Sequence, residues 1–178
     1  MTLTRRNSHL LVLSLALLLG ACAPDAGAPS RDRSADDAEI DEIYRAFMAD
    51  SIDLELIEGL YREDIIHVGQ PGTDLIAGKA RFMETNIVPL ADVVNSGQLY
   101  IDGRAYIVRR EIHGDMANDV GYLFASISEG DSEPVEVVQK FSWVFIHDGT
   151  GWRVITDFDG MPAELSVLDG LTPQRIVE

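Results

Sequence analysis

The sequence predicts an α+β fold in which N-terminal helices pack on a curved antiparallel sheet. Three observations predict it. Apolar residues recur at helical spacing between residues 38 and 94. From Gln98 onward the pattern changes to long runs rich in Val, Ile, Tyr, Phe and Trp. Short connectors rich in Gly and Asp separate those runs, as in a meander of hairpins.

Each element follows from its own residues. Asp36 and Glu39 have capping-box spacing, and Ile40, Ile43, Tyr44 and Phe47 form the stripe of an amphipathic helix. Ser51 or Asp53 can cap a second, short helix with Leu56, Ile57 and Leu60 turned inward. Asp64 to Val68 reads as a short strand, followed by a turn at Gln70-Pro71-Gly72-Thr73. A third helix is expected from about Gly78 to Val94, kinked or broken at Pro89. Four strands follow, over residues 100–111, 119–129, 134–147 and 151–158. Residues 163–178 read as a C-terminal tail.

Composition bounds the function. The chain has 178 residues, 14 Lys+Arg against 30 Asp+Glu, a net charge of -16 and one Cys. An apolar fraction of 46% excludes a disordered polymer. The acidic balance argues against nucleic acid, whose phosphates require clustered cations. One Cys excludes an internal disulfide and a Cys-based zinc site.

The N-terminus carries an address. Arg5 and Arg6 precede an apolar run over residues 10–19 that is too short to span a bilayer, the pattern of a secretory signal peptide. It ends in Leu19-Gly20-Ala21-Cys22, which resembles the lipobox of bacterial lipoproteins. That resemblance implies removal of residues 1–21, lipidation of Cys22 and a membrane anchor through that residue alone. With Ala23 following the Cys, it implies the periplasmic face of an outer membrane. The remaining 157 residues would carry 12 basic and 30 acidic side chains. Residues 22–37, rich in Pro, Ala, Ser and Asp, form a flexible tether on this reading. The folded domain is expected over 38–162.

The order of elements, with Leu60-Tyr61-Arg62-Glu63-Asp64, Gly78-Lys79 and Gly151-Trp152 through Asp157, resembles the nuclear transport factor 2 family in its SnoaL-like branch. The resemblance implies a cone-shaped barrel, with the helices packed in a strongly curved sheet, and often a homodimer. Relatives with this fold include isomerases, dehydratases, hydrolases and domains that only bind ligands. A ketosteroid-isomerase-like site would place its base near Gly69 and its oxyanion acid near Phe141 or Ser142, and none of these can serve.

His67 is the candidate catalytic residue. It shares a strand face with Ile65 and Gly69, which the resemblance turns into the cone, where an imidazole can act as a general base. Tyr44, Gln139, Trp143 and Asp157 are the other candidate pocket residues. Gln139 falls in the apolar stripe of Val135, Val137, Phe141, Trp143 and Phe145, with Glu136, Lys140 and Ser142 on the opposite face. No metal-ligand spacing is visible, so neither a metal nor another cofactor is expected. Three functions are compatible with these residues. The first is an envelope lipoprotein binding a small hydrophobic or neutral molecule. The second is a lyase, isomerase or hydrolase using His67 as base, with Tyr44 or Asp157 assisting. The third is a homodimeric envelope adaptor.

Overall fold

Asp32 opens the first helix: its carboxylate accepts a hydrogen bond from the Ser34 N–H at 2.9 Å. The structure, a computed structural model, describes residues 31–69, 75–130 and 132–178. Residues 1–21, Cys22, most of the tether, the 70–73 turn and Asp131 lie outside the described residues. Helix α1 (Arg33–Phe47) starts three residues before the expected Asp36 and takes in residues 33–37, assigned above to the tether. The two acids of the expected capping box have other partners. Asp36 accepts from the Trp152 indole N–H at 3.0 Å, and Glu39 accepts from the Trp152 backbone N–H at 2.9 Å. These bonds fix an acidic stretch that composition alone reads as tether.

Helix α2 (Leu54–Leu60) is capped by Asp53, which accepts from the Glu55 and Leu56 N–H groups. Ile57 is buried, whereas Leu56 is half exposed instead of pointing inward. The expected third helix is divided into α3 (Lys79–Phe82), a π-helical turn (Met83–Ile87) and α4 (Val88–Asn95). Gly78 precedes α3 with φ +90°, a conformation that disfavours side chains. Pro89 stands in the first turn of α4, where its missing N–H costs nothing. The disruption sits one turn earlier, where the Val88 N–H donates to the Met83 carbonyl.

Among the described residues, seven strands form one sheet: β1 (Tyr61–Val68), β2 (Leu75–Ala77), β3 (Leu99–His113), β4 (Met116–Glu129), β5 (Val135–His147), β6 (Trp152–Ala163) and β7 (Arg175–Val177). Their order is β2-β1-β6-β5-β4-β3-β7. Every pair is antiparallel except β1 with β6, which run parallel. The expected tail therefore ends in a strand that pairs with β3, and Val177 is fully buried. Leu165–Leu168 forms a 3-10 turn against β5.

The sheet bends at an identifiable place. In β3 the register slips between Ile107, opposite Gly121, and Arg109, opposite Val120, so Val108 is an extra residue. A Cβ on Gly121 would lie 2.1 Å from the Tyr106 carbonyl oxygen, so only glycine allows this approach. The bulge also reverses the alternation and brings Arg110 to the inner face, opposite Asp119. The core fills the concave side. Tyr44 of α1 stacks on Trp143 at 4.7 Å and meets Phe141 and Phe145 edge-on. Ile40, Ile57, Ile65, Phe82 and Val154 complete it.

Candidate functional site

The pairing of β1 and β6 assembles the site. His67 stands opposite Asp157, and Asp157 stands opposite Trp143 of β5, so all three share the inner face. Alternation along β6 adds Asp159 to that face. A cavity of about 410 Å³ opens there, walled by apolar residues of α1, the π turn and the inner sheet. Phe47, Phe82, Ile101, Leu123 and Trp143 are among its walls, while His67, Asp157 and Asp159 form its polar end. A larger hollow of about 510 Å³ lies on the surface along α2 and α3, but it holds only Glu55, Glu58 and Glu84 as ionisable groups.

The polar end is under-satisfied. His67 Nδ1 lies 3.6 Å from Asp157 Oδ2, and the Tyr61 hydroxyl donates to that same oxygen at 3.4 Å. His67 and Asp157 are 7% and 6% exposed, and among the described residues His67 Nδ1 and Asp157 Oδ1 have no hydrogen-bond partner. Such groups carry a desolvation penalty unless something else meets them. The Phe82 ring lies 5.0 Å from the imidazole and helps fix it.

The charges perturb one another. The Asp157 carboxylate beside His67 raises the pKa of the imidazole, in part against burial. Burial, with Asp157 as a second cause, pushes Asp159 up to about 6. Burial and the same carboxylate hold the Tyr61 phenol well above its ordinary value, so it remains a donor. Among the described residues, His67, Asp157 and Asp159 are also the one group of three with donor atoms, within 4.8 Å of one another, that could hold a metal ion. The sequence spacing gave no sign of that convergence, because the residues come from two strands distant in the chain.

The expected site residues divide. His67, Trp143 and Asp157 line the cavity together, as does the Tyr44 ring. The Tyr44 hydroxyl is occupied elsewhere: it donates to Asp119 Oδ2 at 2.9 Å, so it does not assist His67. Gln139 is not in the cavity wall; it hydrogen-bonds Asp159, which is. Of its expected stripe, Phe141, Trp143 and Phe145 are buried, but Val135 and Val137 are exposed near the start of β5. Two residues were missed. Asp159 fell beyond the expected strand end at Phe158, although the spacing of Asp157 and Asp159 would have placed it on the same face of a longer strand. Tyr61 had no signal beyond its place in a motif.

No family model matches the chain, and no curated protein matches it. Solved structures do. A conserved protein from Planctomyces limnophilus DSM 3776 superposes with a TM-score of 0.60 at 19% identity, covering 74% of this chain and 100% of that one. A nuclear transport factor 2 (NTF2-like) superfamily protein from Salmonella enterica serovar Typhimurium LT2 gives 0.59 at 16%, covering 78% and 99%. An NTF2-like protein with a cystatin-like fold from Novosphingobium aromaticivorans gives 0.52 at 19%, covering 75% and 92%. Residues 31–178 thus have a mixed α+β architecture with a curved seven-stranded sheet, the NTF2-like cone fold.

Proposed function

We propose that the domain binds a small, largely apolar organic molecule inside the cone, with the molecule's polar end against His67, Asp157 and Asp159. The observation that carries this reading is a cavity of about 410 Å³ with apolar walls and three buried or half-buried ionisable groups at one end. A filled cone would have excluded it. Thermal unfolding of the full chain against a panel of small apolar compounds tests it: some members should raise the midpoint by several degrees. A panel without effect argues against the reading.

A second reading is favoured by the His67–Asp157 pair. Asp157 faces Nδ1 and leaves the other ring nitrogen to take a proton from a bound molecule, the arrangement of a general base with an orienting carboxylate. A lyase or isomerase reaction follows most directly from it. Deuterium incorporation into a bound compound in D2O would report such proton transfer. His67→Gln should abolish incorporation while binding persists; incorporation at the wild-type rate in this variant removes His67 from the chemistry.

The address and the assembly belong to the same proposal. Lipidation at Cys22 would hold the domain at the periplasmic face of an outer membrane. Half-buried Val120, Tyr122, Val144 and Ile146 on the outer sheet face would support a homodimer and leave room for an adaptor role. Labelled fatty acid should enter the wild-type chain and not Cys22→Ala. Sedimentation should give twice the monomer mass.

A further inference from the structure

The cavity's polar end has an imbalance that an apolar ligand alone does not resolve. Among the described residues its wall contains two carboxylates and one imidazole, and no Lys or Arg. Among the described residues, Asp157 Oδ1 and His67 Nδ1 are buried and have no hydrogen-bond partner, and the carboxylate oxygen can only accept. Their side chains are 8% and 9% exposed. Tyr61 meets only Oδ2 of Asp157, and Gln139 meets Asp159. A buried carboxylate without a counter-charge is costly, and one imidazole serves two of them here. The apolar wall includes aromatic pairs: the Tyr61 and Phe82 rings meet edge-on at 4.8 Å, and Phe47 and Trp143 at 5.5 Å.

We propose that the ligand of this pocket is a protonated primary amine on a compact apolar or aromatic body. Its ammonium would donate to Asp157 Oδ1 and to Asp159, with its body among the apolar and aromatic walls. This inference rests on the pocket being a binding site and adds the ligand's charge and class.

These arguments select an ammonium. A hydroxyl has one proton to donate and meets one of the two carboxylates, whereas an ammonium has three protons and can meet both. A carboxylate ligand would be repelled by Asp157 and Asp159. Aromatic rings in the wall also suit a cation.

Calorimetric titration of the full chain tests the proposal with three isosteres, phenethylamine, 2-phenylethanol and phenylacetate, and separately with zinc chloride. Phenethylamine should bind at least tenfold more tightly than 2-phenylethanol, and phenylacetate more weakly than either. Asp159→Asn should lower the amine affinity about tenfold and leave the alcohol unchanged. Asp157→Asn, provided its circular dichroism is that of the wild type, should do the same. Equal affinities for amine and alcohol, or an amine affinity unaffected by Asp159→Asn, overturn the amine assignment and leave the apolar pocket standing. Zinc binding without amine binding overturns it in favour of a metal site. Failure of all three organic probes, joined to a silent apolar panel, overturns the pocket reading itself.

Discussion

Arg110 holds the closed side of the cone together. Its guanidinium is 1% exposed at the side chain and forms a two-pronged pair with Asp119, with Nε–Oδ1 at 2.9 Å and Nη2–Oδ2 at 2.7 Å. Nη1 donates to Asp41 Oδ1 at 2.9 Å and to the Asp37 carbonyl at 3.0 Å, joining α1 to the sheet. Burial opposes the charge, but Asp119 and Asp41 outweigh it and keep Arg110 protonated. Arg110→Met would leave Asp119 buried without its cation and Asp41 with Arg175 alone, at a cost of about 3–5 kcal/mol; urea unfolding measures it. Asp159 has the opposite sign. Its raised pKa means that the folded state disfavours the carboxylate, so stability falls as pH rises from its ordinary value near 3.8 to about 6, then levels. Asp159→Asn should therefore raise the unfolding free energy at pH 8 by ~1–2 kcal/mol after discounting for partial exposure, as measured by urea unfolding. At pH 3 it should change little, because the wild-type group is then protonated in both states. His67, with its pKa raised, contributes stability that is complete below about 6.5 and is lost as pH rises through the folded value. At this scale the sequence was partly legible. His67 and Asp157 follow from strand alternation, but their pairing depends on β1 lying parallel to β6, which no local pattern reveals. The occupation of Tyr44 by Asp119 was equally hidden, because Arg110 and Asp119 meet only after the bulge reverses alternation in β3.

Among the elements, the bulge and β7 carry the most consequence. Gly121 faces the Tyr106 carbonyl at the bend, and any side chain there would force the two strands apart. Gly121→Ala should cost about 1–3 kcal/mol from overpacking, measured by thermal unfolding. Strand β7 is tied down at both ends. Val177 is fully buried, and Arg175 pairs with Asp41 at 2.6 Å through Nε. Gln174 accepts the Arg110 backbone N–H at 2.8 Å. Deletion of residues 174–178 would remove these bonds and open the edge of β3. The shortened chain should unfold at least 10 °C earlier, and an unchanged midpoint would show that β7 is dispensable. The four long strands were legible because their β-rich runs and Gly/Asp turns agree. Strand β7 was not, since three residues in a polar context acquire strand geometry only from β3. Similarly, α1 begins early because Trp152, more than 110 residues away, binds its first turn.

For the whole molecule, curvature converts an ordinary meander into a receptacle. The helices fill most of the concave side, and the remaining space lies where β1, β6 and β5 place His67, Asp157 and Trp143 together. The central claim is that a small apolar molecule occupies that space. Ala125 lines it from β4, so a larger side chain there would fill it without touching the Arg110 network. The direct test is calorimetric titration of the best compound from the apolar panel into the wild type and into Ala125→Phe. The structure predicts saturable one-to-one binding to the wild type and at least tenfold weaker binding to the filled variant. Equal affinity for both would place the ligand elsewhere and contradict the account.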